Sequence, residues 1–289
     1  MDALIIGGGP AGASCAVWLA KLGFDVAVVD ARPNVGGLLN DSPFVNGWIA
    51  TQPGVTGPDL AEQMGLSLAA IGVPLMLGCR VTNVEAGGRS FSTTFEMHTG
   101  KLRTETSRLV VLATGVRPRS GGLGSAPKLL FGPGRHVHDA DFAGKTVAIL
   151  GSGDNAFENY DFVRSRGADT VHIYARSPAR AGRFFRERVP EAGVRIGPYE
   201  VDEDKATVDG SPYDLILVMY GWEPTPLPGL SPELDEQGYV KTHPETCETS
   251  ISGVYAIGEM TRRAHPSVVT AMADGVVAAK AIQRVLEGG

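Results

Sequence analysis

Two parts of the chain share one pattern of apolar and polar residues. A short apolar run leads straight into a glycine-rich turn, the turn leads into a helix-forming segment, and a second β-branched run comes next. These parts lie at 3–6, 7–12, 13–22 and 26–29 in the first case, and at 146–150, 151–156, 155–166 and 170–174 in the second. The pattern predicts a βαβ unit in each place.

The rest of the chain alternates between the same two kinds of segment. A helix is predicted over 58–72 and another from Val268 onwards. Further strands are predicted at 80–86, 91–97, 102–106, 109–113 and 214–220, with a last apolar run at 254–257. The glycine-rich segment 36–57 is too long for a simple connection, so we expect it to face a ligand. Residues 119–143 are expected to cross between domains. The whole pattern predicts an α/β fold, with the second βαβ unit inserted within the first.

Length and charge narrow the range of functions. A chain of 289 residues is long enough for about two domains, and 43% hydrophobic with 20% charged residues is ordinary for a globular protein. The net charge of −6 argues against nucleic acid as a partner. We expect a cytoplasmic protein, because no apolar run approaches the roughly 18 residues of a membrane span and no leader precedes the first strand.

The cysteines and histidines suggest neither a disulfide framework nor a metal site. Cys15, Cys79 and Cys247 are far apart in the sequence. We expect Cys15 and Cys79 to be buried, whereas the polar loop around Cys247 allows that thiol to be exposed. No metal is predicted, because thiols and carboxylates are missing at ligand spacing from the scattered histidines His98, His172, His243 and His265.

The first glycine-rich turn has the features of a site for the pyrophosphate of a dinucleotide. Gly7, Gly9 and Gly12 let the backbone approach a phosphate closely. The helix after the turn presents free N–H groups and a partial positive charge. Asp30 ends the second strand, where its carboxylate can accept hydrogen bonds from ribose hydroxyls. The alternative is a tight turn that binds no ligand.

The second glycine-rich turn differs from the first in its third small residue and in the end of its second strand. Gly151 and Gly153 are followed by Ala156 in place of a third glycine, which the dinucleotide fingerprint tolerates. No acid ends the second strand, and Arg176 stands there instead. Because arginine binds a 2′-phosphate through bidentate hydrogen bonds, this site favours NADPH over NADH. The alternatives are an arginine-rich loop that is merely solvated and a decayed nucleotide site.

Five motifs in this order and spacing resemble the thioredoxin-reductase-like branch of FAD- and NAD(P)-dependent two-domain oxidoreductases. The motifs lie at 7–12, 36–38, 113–115, 151–158 and 253–259. The resemblance covers nearly the whole chain and implies two Rossmann-like dinucleotide-binding domains, the second inserted into the first. It implies an FAD-binding domain at 1–118 and 241–289 and an NAD(P)H-binding domain at 119–240. It also implies a homodimer.

The resemblance assigns cofactor-binding roles. FAD would be held by Gly7, Gly9, Pro10, Ala11, Gly12, Asp30, Ala31, Arg32, Gly37, Leu38, Val81, Ala113, Thr114, Gly115, Gly258, Glu259, Val268 and Val269. NADPH would be held by Gly151, Gly153, Asp154, Asn155, Ala156 and Arg176. Backbone N–H groups of Val268 and Val269, at the start of the last helix, would lie near the flavin's pyrimidine ring and stabilise its anionic reduced form. Glu259 stands where the family has an aspartate that bonds the flavin side chain.

One departure from the family decides the chemistry. Where the family has Cys-x-x-Cys-Asp, Gly134 and Val137 replace the thiols and His138 replaces the acid. Without two thiols there is no dithiol relay, so electrons must leave the flavin directly. His136 and His138 are candidate catalytic proton donors, and the alternative is a polar loop between domains. Glu158 is the third candidate catalytic residue, because the resemblance makes it correspond to a carboxylate near the nicotinamide side of NADPH.

The sequence therefore predicts an NAD(P)H-dependent flavoprotein oxidoreductase that takes hydride from NADPH. Its external acceptor would be a ferredoxin- or flavodoxin-type protein, a quinone or a small disulfide. The short stretch after the last helix weakens the ferredoxin assignment, because such reductases usually carry a longer extension. The alternative is a flavin-binding redox sensor or interaction module without turnover and with a degenerate NAD(P)H site. A flavin monooxygenase ranks last, because its Phe-x-Gly-x-x-x-His fingerprint is incomplete at 142–148.

Overall fold

A computed structural model of the chain describes residues 1–42, 44–225, 228–263 and 265–288. Its strands, numbered along the chain, are β1 (Ala3–Ile6), β2 (Val26–Asp30), β3 (Leu75–Leu77), β4 (Arg80–Ala86), β5 (Phe91–Glu96), β6 (Leu102–Ser107), β7 (Leu109–Leu112), β8 (Val116–Pro118), β9 (Leu129–Phe131), β10 (Thr146–Leu150), β11 (Thr170–Ala175), β12 (Val194–Ile196), β13 (Val201–Asp202), β14 (Thr207–Val208), β15 (Ser211–Pro212), β16 (Leu215–Val218), β17 (Trp222–Pro224) and β18 (Val254–Ala256). Its α-helices are α1 (Pro10–Lys21), α2 (Gly57–Ile71), α3 (Arg135–His138), α4 (Asp154–Ser165), α5 (Arg183–Arg186) and α6 (Val268–Glu287). Short 3-10 helices lie at Gly37–Asp41, Glu191–Gly193 and Gly258–Met260.

The first of two compact units comprises Met1–Val116 and Glu223–Gly289. Its main sheet has the strand order β18-β7-β1-β2-β3, with all neighbours parallel. Ile6, at the end of the fully buried β1, pairs with Val29 of β2 and Leu112 of β7. Because parallel strands end at the same edge of a sheet, the turn after β1 lies between the ends of its two neighbours. The strands predicted at 80–86, 91–97 and 102–106 correspond to β4, β5 and β6, which form an antiparallel meander.

Helices α1 and α6 share the core that covers one face of this sheet, and they meet at small residues. An ideal Cβ on Gly275 would lie 2.5 Å from the Ala11 carbonyl oxygen and 2.6 Å from the Cys15 nitrogen, so only glycine fits. The Ser14 hydroxyl donates a 2.8 Å hydrogen bond to the Met272 carbonyl. This contact fixes the start of α1, which carries the first glycine turn, against the last helix.

The second unit, Arg117–Trp222, has its own parallel sheet in the order β12-β11-β10-β16-β9. Strand β9 lies within 119–143, the stretch that the sequence pattern assigns to a crossover. It pairs with β16 from Leu129–Ile216 to Phe131–Val218. A strand of three residues is too short to show an alternation of apolar and polar positions, so the sequence pattern does not reveal it. Strands β13, β14 and β15 form a small antiparallel sheet.

The chain passes between the two units at 116–117 and again at 222–223, and strands β8 and β17 at these passages pair with each other. The first unit therefore resumes at Glu223, whereas the family resemblance implies a second passage at 240–241. The backbone N–H of Val240 donates a 3.0 Å hydrogen bond to the Met260 carbonyl, which ties this stretch to the segment before α6. Within the described ranges, no helix combines the length and apolar character that crossing a membrane requires.

Candidate functional site

The first glycine turn is shaped by close backbone contacts at two of its glycines. Gly7 has a φ of +112°, and an ideal Cβ there would lie 2.2 Å from the Ala113 carbonyl oxygen. An ideal Cβ on Gly12 would lie 1.9 Å from the Gly7 carbonyl oxygen. These two glycines are therefore required by the fold itself, because any side chain would collide with backbone. They let β1, the end of β7 and the start of α1 meet in one tight turn.

Gly9 differs from these two glycines because its missing side chain leaves open space. It is the residue before α1, with φ −70° and ψ −177°, and among the described residues the nearest heavy atom to an ideal Cβ is Gly37 Cα at 3.9 Å. Gly9 offers no side chain to cap the helix, so the N–H groups of the first turn of α1 stay available. This open concavity at a helix N-terminus suits a phosphate.

Asp30 is held in place at the same turn. Its Oδ2 accepts a 2.5 Å hydrogen bond from the Gly8 N–H, and its Oδ1 accepts one of 2.7 Å from the Arg32 N–H. The Arg32 guanidinium in turn pairs with Asp41 at 2.7 Å. A carboxylate has about four acceptor positions, so Asp30 keeps acceptors for ribose hydroxyls after both backbone bonds are made.

The other residues predicted to hold FAD are spread over neighbouring elements of the first unit. Gly37 and Leu38 begin a 3-10 helix beside Gly9. An ideal Cβ on Gly258 would lie 2.9 Å from the Cβ of Ala11, which brings the last segment against the start of α1. Residues Ala31, Ala113, Thr114 and Gly115 directly follow β2 or β7, and Val81 lies half-buried on β4. The structure thus gathers most of this set at one edge of the first sheet.

Glu259 is a half-buried carboxyl group in the Gly258–Met260 turn. Burial raises its pKa, and its side chain forms no hydrogen bond with the part of the chain that the structure describes. A half-buried carboxyl group without a protein partner fits the ribityl hydroxyls of FAD, which can donate to it. The open concavity at Gly9 fits the pyrophosphate. The residues present therefore suit FAD in this unit.

Two further devices hold the segment around Glu259. The Gly258 N–H donates a 3.1 Å hydrogen bond to the buried Asp274 carboxylate, which also forms an ion pair with Arg263. At the start of α6, the Ser267 hydroxyl accepts a 3.2 Å hydrogen bond from the Thr270 N–H. This cap uses only one of the free N–H groups of the helix, so those of Val268 and Val269 remain for a ligand.

The second glycine turn repeats the geometry of the first. An ideal Cβ on Gly151 would lie 2.4 Å from the Met219 carbonyl oxygen, at the end of the neighbouring strand β16. Gly153, the residue before α4, has no described heavy atom within 4 Å of an ideal Cβ. Gly151 thus corresponds to Gly7, and Gly153 corresponds to Gly9. The residues present suit the pyrophosphate of a second dinucleotide.

The arginine-rich loop after β11 folds back onto this second turn. The Ser152 carbonyl accepts hydrogen bonds from the N–H groups of Arg180, at 2.7 Å, and Ala181, at 3.0 Å. Asp154, in the first turn of α4, accepts a 2.7 Å hydrogen bond from the Gly182 N–H. The loop that begins at Arg176 is therefore anchored at both sides of the turn. Asn155 and Ala156 lie in the first turn of α4, with Ala156 fully buried.

The residues predicted to transfer protons lie in the second unit. His138 stacks on Phe162 at 5.7 Å, its Nδ1 lies 3.0 Å from Asp139, and its Nε2 lies 3.1 Å from Arg166. The hydrogen bond to His138 lowers the pKa of Asp139. His136 is exposed on α3. On α4, desolvation and the nearby Asp154 carboxylate raise the pKa of Glu158, against the effect of Arg188.

All three cysteines are free thiols and buried. The expectation that Cys247 can be exposed is therefore wrong. Its loop is polar, but the Cys247 side chain belongs to the core that α1 and α6 share, and its Sγ lies 4.0 Å from the Asp274 carbonyl oxygen. Burial raises the pKa of Cys15 and of Cys247, so neither thiol forms a nucleophilic thiolate readily. Within the described residues, no cluster of His, Cys, Asp or Glu side chains could hold a metal ion.

The fold and the two turns define the class, a protein built from two Rossmann-like dinucleotide-binding units. A family model described as pyridine nucleotide-disulphide oxidoreductase matches residues 1–275. The chain belongs to the pyridine nucleotide-disulphide oxidoreductase family. It is an NAD(P)H-dependent flavoprotein oxidoreductase, and the predicted cofactors FAD and NADPH are those used by its thioredoxin reductase and ferredoxin–NADP reductase relatives.

Similar proteins are found among both kinds of reductase. A thioredoxin reductase of Listeria innocua is 27% identical, over 99% of this chain and 94% of its own. A ferredoxin–NADP reductase of Limosilactobacillus fermentum is 28% identical, over 89% of this chain and 85% of its own. Among solved structures, thioredoxin reductase of Lactococcus lactis has a TM-score of 0.81 at 21% identity, covering 100% of this chain and 99% of its own. Bacillithiol disulfide reductase of Staphylococcus aureus has a TM-score of 0.79 at 17% identity, covering 99% and 98%. The two structures show a shared fold.

Some residues of the site lie outside every sequence motif. Asp274 and Arg263 pair across eleven residues and brace Gly258, but neither belongs to a motif. Their one local cue is an acid within an otherwise apolar helix face, because a buried carboxylate needs a partner. Tyr199 and Tyr220, which contact Arg176, are distant from it in sequence and offer no such cue.

Proposed function

We propose that this chain oxidises NADPH and passes the electrons through FAD directly to an external acceptor, without a thiol relay. One observation carries the proposal: two glycine turns of matching geometry occur in a chain whose three cysteines are all buried and unpaired. Bound FAD would supply the redox chemistry, accepting a hydride from reduced nicotinamide and releasing two electrons to the acceptor.

In this proposal the chain's own residues bind and orient the cofactors. The N–H groups beyond Gly9 bind the FAD pyrophosphate, and Asp30 and Glu259 accept hydrogen bonds from its hydroxyls. The start of α6, at Val268, favours negative charge on the pyrimidine side of the flavin, because a helix N-terminus is partially positive. The turn at Gly153 binds the pyrophosphate of NADPH.

The arginine after β11 supports NADPH rather than NADH as the donor. Arg176 stands at the end of the second strand of its βαβ unit, where an acid would favour NADH. The anchoring of Arg180 and Gly182 on the turn holds this loop beside the bound nucleotide. We propose that His136 and His138 supply the protons that acceptors such as quinones require, and that Glu158 lies on the nicotinamide side.

The acceptor is proposed by chemical class. A reduced flavin without a thiol relay can deliver electrons singly or in pairs, which suits an iron–sulfur or flavin protein, a quinone or a small disulfide. The ferredoxin–NADP reductase relatives favour the protein acceptors, and the bacillithiol disulfide reductase shares the fold. We also expect a homodimer, which light scattering would test, and a cytoplasmic location.

The experiment is an anaerobic assay in two steps on the FAD-loaded protein. The enzyme is reduced with NADPH and then mixed with ferredoxin, flavodoxin, a water-soluble quinone, a low-molecular-weight disulfide or oxidised thioredoxin. We expect reoxidation by at least one of the first four, unchanged after treatment with a thiol-alkylating reagent. Loss of activity on alkylation, or transfer to thioredoxin alone, would contradict the direct route. If the protein retains FAD but NADPH does not reduce it, the result would favour a redox sensor without turnover.

A further inference from the structure

Arg176 occupies a defined place beside the second glycine turn. Strand β11 pairs with β10 so that Tyr174 lies opposite Leu150, the last residue before the glycine turn. The Gly151 N–H donates a 2.9 Å hydrogen bond to the Tyr174 carbonyl. Arg176, two residues further on, therefore leaves the sheet next to the turn. In a βαβ dinucleotide site the adenosine ribose lies at this strand end.

Two tyrosine rings contact the Arg176 guanidinium. Its Cζ atom lies 5.1 Å from the ring centroid of Tyr199 and 5.4 Å from that of Tyr220. Both distances are within the range in which an arginine is attracted to the face of an aromatic ring. The Tyr199 hydroxyl donates a 3.1 Å hydrogen bond to the Tyr220 hydroxyl, which joins the two rings to each other.

Both rings are themselves fixed by their surroundings. Tyr199 is only 8% exposed and lies edge-on to Tyr174, with 5.5 Å between the ring centroids. Tyr220 packs against Gly121, where an ideal Cβ would lie 2.6 Å from the ring, so no other residue fits at that position. The exposed arginine therefore rests on a rigid surface rather than on mobile side chains.

A guanidinium held against aromatic faces keeps its N–H donors in the plane of the group, where they can still bind two oxygens of a phosphate. Fixing the group before binding reduces the conformational freedom that is lost when the phosphate arrives. Burial raises the pKa of Tyr199, so its phenol stays neutral and adds no negative charge beside the phosphate.

We propose that Tyr199 and Tyr220 are positioning residues that set the preference for NADPH over NADH by holding Arg176 ready for the 2′-phosphate. The inference rests on the proposed function, because it takes NADPH to be the ligand of the second glycine turn. It goes further by assigning the strength of the preference to two tyrosines outside the glycine motif.

The test measures binding of 2′,5′-ADP and of 5′-AMP to the FAD-loaded enzyme by calorimetry. The ratio of the two dissociation constants isolates the contribution of the 2′-phosphate. We expect Tyr199→Leu and Tyr220→Leu each to lower this preference about three- to tenfold, through weaker 2′,5′-ADP binding with 5′-AMP unchanged. Tyr199→Phe and Tyr220→Phe keep the rings and should retain most of the preference.

Two controls separate positioning from loss of structure. Tyr213 belongs to the same aromatic cluster, but its hydroxyl bonds Tyr174 and His172, so Tyr213→Leu should leave the preference unchanged. In an Arg176→Ala background, the two leucine substitutions should have no further effect on the preference. If the buried Tyr199→Leu variant does not fold, the half-buried Tyr220→Leu variant decides the test.

The outcomes distinguish this inference from the proposed function. If the wild-type enzyme binds 2′,5′-ADP and 5′-AMP equally, the proposed selectivity for NADPH is wrong. A wild-type preference that survives both leucine substitutions would overturn the tyrosine assignment and leave the proposed function intact. If the leucine substitutions lower the preference in the Arg176→Ala background as much as in the wild type, the assignment to the tyrosines is also overturned, because the tyrosines would then not act through Arg176.

Discussion

An ideal Cβ atom on Gly12 would lie 1.9 Å from the carbonyl oxygen of Gly7, closer than any real contact allows. The two ends of the first glycine turn therefore touch, and the turn can exist only without a side chain at Gly12. Gly9, between them, has open space where a side chain would lie. Close packing thus explains two glycines of the motif, and the phosphate site that we propose beside Gly9 would account for the third.

This difference predicts opposite outcomes for two substitutions. Gly12→Ala should lower the free energy of unfolding of the apoprotein by about 4 kcal/mol or more, because backbone must move. Gly9→Ala has an allowed φ of −70° and should cost at most about 1 kcal/mol, as expected for alanine at this capping position. It should nevertheless weaken FAD binding about tenfold or more, because the methyl group enters the phosphate site.

Chemical denaturation of the apoprotein and FAD titration measure the two effects. Gly153→Ala is the matched control, because it places the same methyl group at the second glycine turn. It should weaken NADPH binding and leave FAD binding unchanged. Normal FAD affinity in the Gly9→Ala variant would show that the cofactor does not lie against this turn.

Much of this arrangement can be predicted from the sequence because its chemistry is local. The glycine turns, the acid at Asp30 and the arginine at 176 all lie within a few residues of a strand end, so one βαβ pattern locates them. Strand β9 and the tyrosines around Arg176 contact segments that are distant in the sequence. Asp274 and Arg263 are eleven residues apart, and no motif links them. The polar sequence around Cys247 does not reveal its burial, because a polar loop can still turn one residue inward.

Glu259 should make the stability of the apoprotein depend on pH. Burial raises its pKa, so the ionised form is less favourable in the folded chain than in the unfolded chain. The folded chain therefore loses stability as the pH rises from the unfolded-state pKa of this carboxyl group to its higher folded-state pKa. Glu259→Gln should stabilise the apoprotein above the folded-state pKa and have little effect in acid.

Urea denaturation at a series of pH values measures this effect. Glu62→Gln, at an exposed position of α2, is the control and should change stability little at any pH. A Glu259→Gln variant that is destabilised at neutral pH would mean that the carboxylate is stabilised rather than penalised in the folded chain.

The Arg263–Asp274 pair joins a buried carboxylate to a guanidinium side chain that is 36% exposed. Arg263→Met leaves the 1% exposed Asp274 carboxylate without its cation and should cost about 3–5 kcal/mol of folding free energy. Adding Asp274→Asn should recover much of the loss, because the neutral amide oxygen can still accept the hydrogen bond from Gly258. A double-mutant cycle by denaturation checks this, and strictly additive losses would argue against the pair.

The proposed proton donors should matter only for acceptors that take up protons. His136→Gln or His138→Gln should slow turnover with a quinone about tenfold or more and leave turnover with ferricyanide, which takes electrons alone, nearly unchanged. His138→Gln should also lower stability, because its ring contacts Asp139 and Arg166. Equal slowing with both acceptors would point to a structural effect instead.

We propose that bound flavin is the redox centre of this chain and acts without a thiol pair, and an anaerobic reductive titration decides this. FAD-loaded enzyme is titrated with dithionite and, separately, with NADPH while the absorbance at about 450 nm is followed. We expect complete bleaching after about two electrons per flavin, with NADPH as effective as dithionite. An uptake of about four electrons per flavin would reveal a redox-active thiol pair and overturn the direct route. A flavin that NADPH leaves oxidised would exclude NADPH as the electron donor.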